Sequence, residues 1–332
     1  MKAAILEGKR KLVVRDVPEP VLDKDEVLIK VQYCGICGSD LHIYMEGAAI
    51  GLGHEFSGDI VEVGSNVKGW EIGDRVVVDP HRACGECYWC RRGYESGVCE
   101  QFYADLLQRQ SAFATYTKAK HDQLHKLPDE LSYEHAAIIE PTTCPLHSIK
   151  ASKMQIGDVV AVLGLGPIGQ LVARLAKISG AKAVYATEIS QPRINLARNA
   201  VDEVINIKVT NPVDRILELT DGMGADVVFE CAGSASATQQ AIASVRKGGT
   251  IVFVGICMDA VKVPFSQIVL RGLALRGFVG WAAGDFASAF NVIKDKQIDV
   301  APLITSKMPL DDTSEAFEKA LRGEEGVILI KP

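Results

Sequence analysis

Four cysteines lie close together in the pattern Cys84-x2-Cys87-x2-Cys90, with Cys99 soon after. Thiolates at such short spacing suit a tetrahedral structural zinc that is closed to substrate. Structural zinc can contribute roughly 10–16 kcal/mol of apparent binding free energy to local order. The segment contains Gly85, Gly93 and Gly97 and little apolar content, so it needs a staple of this kind. The competing reading is a group of free or redox-active thiols.

A second constellation is dispersed. It begins with Cys37, Ser39, Asp40 and His42 in the run Cys34–His42, continues with His54 and Glu55, and ends with Glu140-Pro141. A thiolate, an imidazole and one or two carboxylates form the mixed donor set that usually leaves a coordination position for water or substrate. Taken singly, Cys37 reads equally well as a core residue and His54 as a satisfied polar group.

The third motif is Gly164-Leu165-Gly166-Pro167-Ile168-Gly169. The first glycine permits a tight turn, the second lets a pyrophosphate approach the backbone, and the third lets helix pack on strand. The helix N-terminus then presents N–H groups and partial positive charge to phosphate. An acid is expected about twenty residues on, and Glu188 stands there. Its carboxylate suits ribose hydroxyls and repels a 2′-phosphate, which favours NAD over NADP. Arg193 close by would tolerate that phosphate. The alternative is a glycine-rich strand-to-helix turn with no ligand.

The elements that must hold these groups fall into two sets. Short apolar runs at 27–31, 60–63 and 75–78, broken by Gly, Asp, Asn and Pro, make the first part β-rich. From about residue 151 the pattern changes. The run 158–163 lacks polar alternation, as a strand buried on both faces does. A helix follows with Leu171, Val172, Leu175 and Ile178 on one side and Gly180 at its C-cap. Strands at 183–187, 203–207, 226–229, 250–254 and 273–278 alternate with helices at 212–219 and 236–245 and one capped by Ser190 with Pro192 in its first turn. That alternation implies a doubly wound parallel sheet. The ends of the last two strands, at Val254-Gly255 and Phe278-Val279, fall on the cofactor side. A helix-rich tail after about 285 closes with a strand at 327–330.

Bulk properties set limits. The chain has 332 residues, which favours two domains. Charged residues make up 23% and the net charge is −6, which argues against nucleic-acid binding. No run of eighteen apolar residues is present, so no membrane span is expected. The N-terminus lacks a secretory pattern, and nine cysteines without an export signal argue against a disulfide scaffold. A cytoplasmic protein is the default. His81, His121, His125 and His135 read as surface or loop groups, and Cys231 and Cys257 as small apolar fillers.

The motifs CGICGSDLH (34–42), GHE (53–55), GDRV (73–76), the cysteine lobe, LGLGPIG (163–169) and VVFECAG (227–233) resemble the medium-chain zinc alcohol dehydrogenase family along nearly the whole chain. IIEPTTCPLH (138–147) resembles its polyol, threonine and butanediol branch, because Glu140 stands where simple alcohol dehydrogenases carry cysteine. The resemblance implies a β-rich GroES-like catalytic domain from 1–150 and 285–332, and a Rossmann NAD-binding domain from 151–284. It implies two zincs. Cys37 and His54 would hold the catalytic one, with Glu55 and Glu140 as direct or water-bridged ligands, and Cys84, Cys87, Cys90 and Cys99 the structural one. Ser39 would take the substrate proton and His42 pass it to solvent, with Asp40 orienting a ligand. Two departures stand out. The gap from Cys37 to His54 is shorter than usual in the family, so the substrate cleft lined by 43–52 should be more open. The lobe also has one extra residue before Cys99.

The expected reaction is NAD-linked oxidation of a secondary hydroxyl in a small alcohol or polyol. In favourable sites zinc lowers the pKa of bound water from about 15.7 to about 7, and an alcohol should respond similarly. That is worth about 11–12 kcal/mol at ~1.36 kcal/mol per pH unit. Threonine or a simple secondary alcohol is the alternative substrate. A non-catalytic NAD-binding zinc protein and a zinc-finger-like interaction module are alternatives of another class. The family resemblance also implies a homodimer or homotetramer.

Overall fold

The computed structural model describes residues 1–48, 50–81, 83–102 and 111–332. One position of the 43–52 segment, residue 49, is therefore outside the described residues. The chain divides into two compact units, Met1–Pro141 with Gly280–Pro332, and Thr142–Val279.

The second unit is built on a six-stranded parallel sheet. In spatial order its strands are Glu203–Asn206, Ala183–Glu188, Val159–Leu163, Ala225–Glu230, Val245–Phe253 and Ala274–Gly277. Counting strands along the chain, this is the order 3-2-1-4-5-6 of a doubly wound dinucleotide fold, in which ligands bind beyond the strand carboxyl ends where the order reverses. Val160, Ala161, Val162 and Leu163 are fully buried, so the unbroken apolar run lies in the middle of the sheet. Helix Pro167–Ile178 starts with Pro at a position that needs no N–H, and buries Leu171, Val172, Leu175 and Ala176. Gly180, with φ +94°, follows the last turn in the left-handed region.

One expected helix start holds in position but not in its cap bond, and another shifts by one residue. Ser190 precedes helix Gln191–Ala197, but its hydroxyl makes no cap bond and is buried without a partner. The Glu188 carboxylate organises this turn instead, by accepting from the amides of Ile189 and Ser190. The helix expected from 236 starts earlier, at Ala235–Ser244. The Ser234 hydroxyl accepts from the Ala237 amide at 3.2 Å, because the adjacent serine, not Ser236, has the extended backbone a cap requires.

The first unit contains a seven-stranded sheet centred on Glu26–Gly35, which pairs antiparallel with Glu55–Val63 and Val327–Lys331. Strand Tyr116–Lys120 also pairs with it. Val27, Ile29, Ile60, Val76, Phe113, Phe317 and Ile330 fill the core below. The strand at Arg75–Val78 has the predicted bounds. Its Arg75 guanidinium donates to the carbonyls of Pro128, Asp129 and Leu131 and lies 4.3 Å from the centre of the Tyr133 ring. Arg75 thus fixes the loop leading to helix Ile139–Ser152, which carries Glu140. Among the described residues, no helix is long and apolar enough to cross a membrane.

Candidate active site and metal centres

Asp40 organises the mixed-donor site. Cys37 sits just before helix Gly38–Glu46, and Asp40 in the first turn reaches back so that Oδ2 accepts from the Cys37 amide at 3.2 Å. Its Oδ1 accepts from the Gly53 amide at 3.0 Å. One carboxylate thereby ties the Cys37 turn to the segment that carries His54. Gly53 has φ +80°, and a Cβ there would lie 2.9 Å from Cys34 Sγ. His54 Nδ1 lies 3.6 Å from Asp40 Oδ1, and its Nε2 lies 3.8 Å from Glu140 Oε1. Gly35 faces Glu55 across the strand pair, where a Cβ would stand 2.3 Å from Glu55 Oε2. The absent side chain leaves the space for the carboxylate.

The donor atoms of Cys37, His54 and Glu55 lie within 4.8 Å of one another. Glu140 lies outside this group but faces the Nε2 side of the imidazole, and Cys144, one turn further along the same helix, is outside it as well. His54, Glu55, Asp40 and Glu140 are all buried. Burial, with Asp40 adding, pushes the Glu55 carboxyl up to about 8. Burial also pushes the Cys37 thiol well up, with Glu55, Asp40 and Glu140 adding, while a hydrogen bond from Ser39 opposes the shift. Acidic groups buried together resist ionisation until a cation joins them. This donor set therefore fits a divalent zinc. Ser39 and His42 are half-buried and lie one turn apart on one face of the helix.

The four lobe thiols form a second group, also within 4.8 Å of one another. None is in a disulfide. The Cys87 amide donates to Cys84 Sγ at 3.3 Å, and the amides of Cys84 and Gln101 both donate to Cys99 Sγ at 3.4 Å. Amides of Cys90 and Glu100 hold Cys87 down at about 6, while burial and the neighbouring thiols push Cys90 up to about 12. The extra residue before Cys99 does not keep its sulfur out of the group. Four thiols facing one point, with amides aimed at sulfur, suit a closed tetrahedral zinc.

Next to this lobe the structure differs from the sequence reading. His81 lies in a loop, as expected, whereas His125 lies in strand Leu124–Lys126, and both are half-buried. His81 stacks on Trp281 with ring centres 4.0 Å apart, and His125 packs on Phe286 at 4.7 Å. Ser96 donates its amide to the Trp281 carbonyl at 2.9 Å. Asp79 accepts from the His81 amide at 3.1 Å, and burial raises it to about 6. No motif announces the contacts to Trp281 and Phe286, because those partners are far apart in sequence.

In the second unit the glycine turn has the geometry its spacing predicts. Gly164 has φ +94°, and a Cβ on Gly169 would fall 1.9 Å from the Gly164 carbonyl oxygen. Gly166 precedes Pro167 and Ile168 in the first helical turn, with the Arg193 guanidinium lying over it. Glu188 Oε2 accepts from the Leu165 amide at 2.9 Å, so this acid also shapes the turn. Val254 and Gly255 follow the strand end at Phe253, and Phe278 packs its ring 4.9 Å from His147. Val279 is exposed.

Residues 23–129 match the family model described as the alcohol dehydrogenase GroES-like domain, and residues 167–295 match the one described as zinc-binding dehydrogenase. The sorbitol dehydrogenase of Bacillus subtilis is 35% identical over 97% of this chain and 94% of its own. The crystal structure of 2R,3R-butanediol dehydrogenase from Bacillus subtilis superposes with a TM-score of 0.88 at 34% identity, covering 100% of this chain and 99% of that one. A protein of Sinorhizobium meliloti 1021 solved with NADP bound has a TM-score of 0.92 at 30% identity, covering 100% and 99%.

Proposed function

The chain belongs to the medium-chain zinc-dependent alcohol dehydrogenase family, and on that premise we propose that it oxidises a secondary hydroxyl of a polyol or small diol to the ketone, with NAD as hydride acceptor. The observation that carries this reading is the gathering of Cys37, His54 and Glu55, with Glu140 against His54 Nε2. The unit Met1–Pro141 with Gly280–Pro332 supplies the catalytic side chains, and the unit Thr142–Val279 supplies the dinucleotide cradle.

Zinc, when bound, supplies the Lewis acidity that makes a hydroxyl easy to deprotonate. Cys37, His54 and Glu55 would hold it, with Glu140 as a fourth or exchanging donor. Asp40 Oδ1 faces the imidazole at Nδ1 from 3.6 Å, beyond hydrogen-bond distance, and Nε2 is the nitrogen on the Glu140 side. Ser39 Oγ takes the proton of the substrate hydroxyl while giving up its own, and the half-buried imidazole of His42 carries it towards solvent. Glu140 in place of a thiolate hardens the donor set, which favours substrates that present two oxygens. Cys84, Cys87, Cys90 and Cys99 would hold the structural zinc. Glu188 favours NAD by charge.

An assay of NAD reduction over sorbitol, xylitol, butanediol, threonine and matched mono-alcohols, with and without a chelator, tests this. Diols and polyols should turn over faster than mono-alcohols, and the chelator should abolish turnover. Equal efficiency for a diol and its mono-alcohol would remove the substrate class. Activity that survives metal removal would remove the zinc chemistry.

Association into a homodimer or homotetramer is part of the same reading. Edge strand Ala274–Gly277 is exposed along its length, and Phe265, Val269 and Leu270 on the preceding helix face solvent. Exposed apolar side chains beside a strand edge that has no partner among the described residues are suited to a second copy of the chain. Light scattering that gives a monomer mass at micromolar concentration would refute it.

A further inference from the structure

Glu230 ends the strand Ala225–Glu230, next to the strand that runs into the glycine turn. It is fully buried. A carboxyl group in that position needs a reason, because burying it costs several kcal/mol in principle unless it is well bonded.

Oε2 has no hydrogen-bond partner among the described residues, so the reason lies in what Oε1 and the main-chain oxygen hold. Oε1 accepts from the amides of Ala232 and Gly233, both at 2.9 Å. The main-chain oxygen of the same residue accepts from the amides of Val254 and Gly255, both at 2.8 Å. One residue therefore gathers four amides from two loops at the carboxyl edge of the sheet. Burial raises the Glu230 carboxyl, and the amides of Gly233, Ala232 and Ser234 oppose the shift.

The loops held in this way fit together through glycines. A Cβ on Gly164 would lie 2.9 Å from the Ala232 amide nitrogen. A Cβ on Gly255 would lie 2.3 Å from the Gly233 amide nitrogen, and one on Gly233 would lie 2.8 Å from the Ile256 carbonyl oxygen. The Cys231–Ser234 turn is thus wedged between the phosphate-binding turn and the loop after Phe253. Glu188 bonds the opposite side of the same turn through Leu165.

We propose that Glu230 is a positioning residue for the dinucleotide, setting the Cys231–Ser234 turn against Gly164 and Gly255 so that the cradle is already formed before the cofactor arrives. The proposal rests on the reading of this unit as the dinucleotide site. Its consequence is selective. Loosening the turn costs cofactor affinity, because the cradle must then be ordered on binding. It leaves untouched the donors that serve the substrate hydroxyl.

The test uses the zinc-loaded full chain and titrates NADH by its own fluorescence, independently of turnover. Wild type, Glu230→Ala, Glu230→Gln and Gly255→Ala are compared. Glu230→Ala should weaken NADH binding and raise the KM for NAD by tenfold or more, with kcat at saturating NAD within about threefold of wild type. Glu230→Gln should recover most of the affinity, because an amide oxygen can still accept from Ala232 and Gly233. Gly255→Ala should weaken NADH binding as Glu230→Ala does, since it pushes the same turn from the other side. It also keeps the proposal open to test if Glu230→Ala fails to fold. Unchanged NADH affinity in folded Glu230→Ala overturns the proposal, as does a Gln variant no better than Ala. Wild type that fails to bind NADH would instead refute the dinucleotide reading itself.

Discussion

Asp79 shows how a single residue can carry a pH dependence that no motif reveals. Burial holds its carboxyl at about 6 in the fold, although the His81 amide favours the charged form. The ordinary value of 3.8 applies to the unfolded chain. Between these values the folded state binds the extra proton, so this group's contribution to stability falls as pH rises from about 4 to about 6. At 1.36 kcal/mol per pH unit the limit is about 3 kcal/mol, and discounting for partial exposure leaves about 1–2 kcal/mol. The Asp79→Asn variant should therefore gain about 1–2 kcal/mol on wild type between pH 4 and pH 7, measured by urea unfolding at both. A pH-independent difference between the two proteins would contradict this account. The contrast with the lobe cysteines is instructive. Cys84, Cys87, Cys90 and Cys99 are legible in sequence because their spacing is local and metal chemistry restricts it. The pairing of His81 with Trp281 joins residues from opposite ends of the chain, and neither residue type requires the other.

At the level of elements, strands were readable where burial leaves an unbroken apolar run, as at Val159–Leu163, and where punctuation is strong, as at Arg75–Val78. Helix starts were less so. The Ser190 turn is governed by a carboxylate from the preceding strand, and a side chain acting from outside the helix is invisible to capping rules. The motif GDRV was visible as a string but not as a device. Its arginine binds three carbonyls of the loop that leads to the helix bearing Glu140. Hydrogen bonds to a charged group are worth roughly 1.5–3 kcal/mol each when one partner is lost, though partial solvation reduces the total. Arg75→Ala should lower stability by about 2–4 kcal/mol, and Arg75→Lys should recover less than half, because one ammonium cannot span carbonyls that a planar fork reaches together. Chemical denaturation measures both. A lysine variant as stable as wild type would show that charge alone, and not the fork, fixes the loop.

For the whole molecule, the question is how far the two compact units depend on one another. Each has its own sheet and its own core. The mixed donors Cys37, His54 and Glu55 and the lobe thiols both lie in the unit Met1–Pro141 with Gly280–Pro332, whereas the glycine turn, Glu188 and Glu230 lie in Thr142–Val279. Removing metal donors should then separate four readouts. Wild type should hold about two zinc ions per chain, one in a closed site and one in an open site. Cys90→Ser should hold about one, and melt at a lower temperature, because the lobe loses the metal that orders it. Cys37→Ser should also hold about one, but lose turnover by at least 100-fold with little change in melting, because the site it disables is chemical and already framed by Asp40. Both variants should bind NADH within about threefold of wild type, since neither substitution touches the unit that builds the cradle. Zinc analysis, calorimetric melting, rates of NAD reduction and NADH fluorescence distinguish these outcomes. Loss of NADH binding in Cys90→Ser would show that the lobe zinc supports the whole chain and not its own unit alone, and the division of labour between the units would have to be given up.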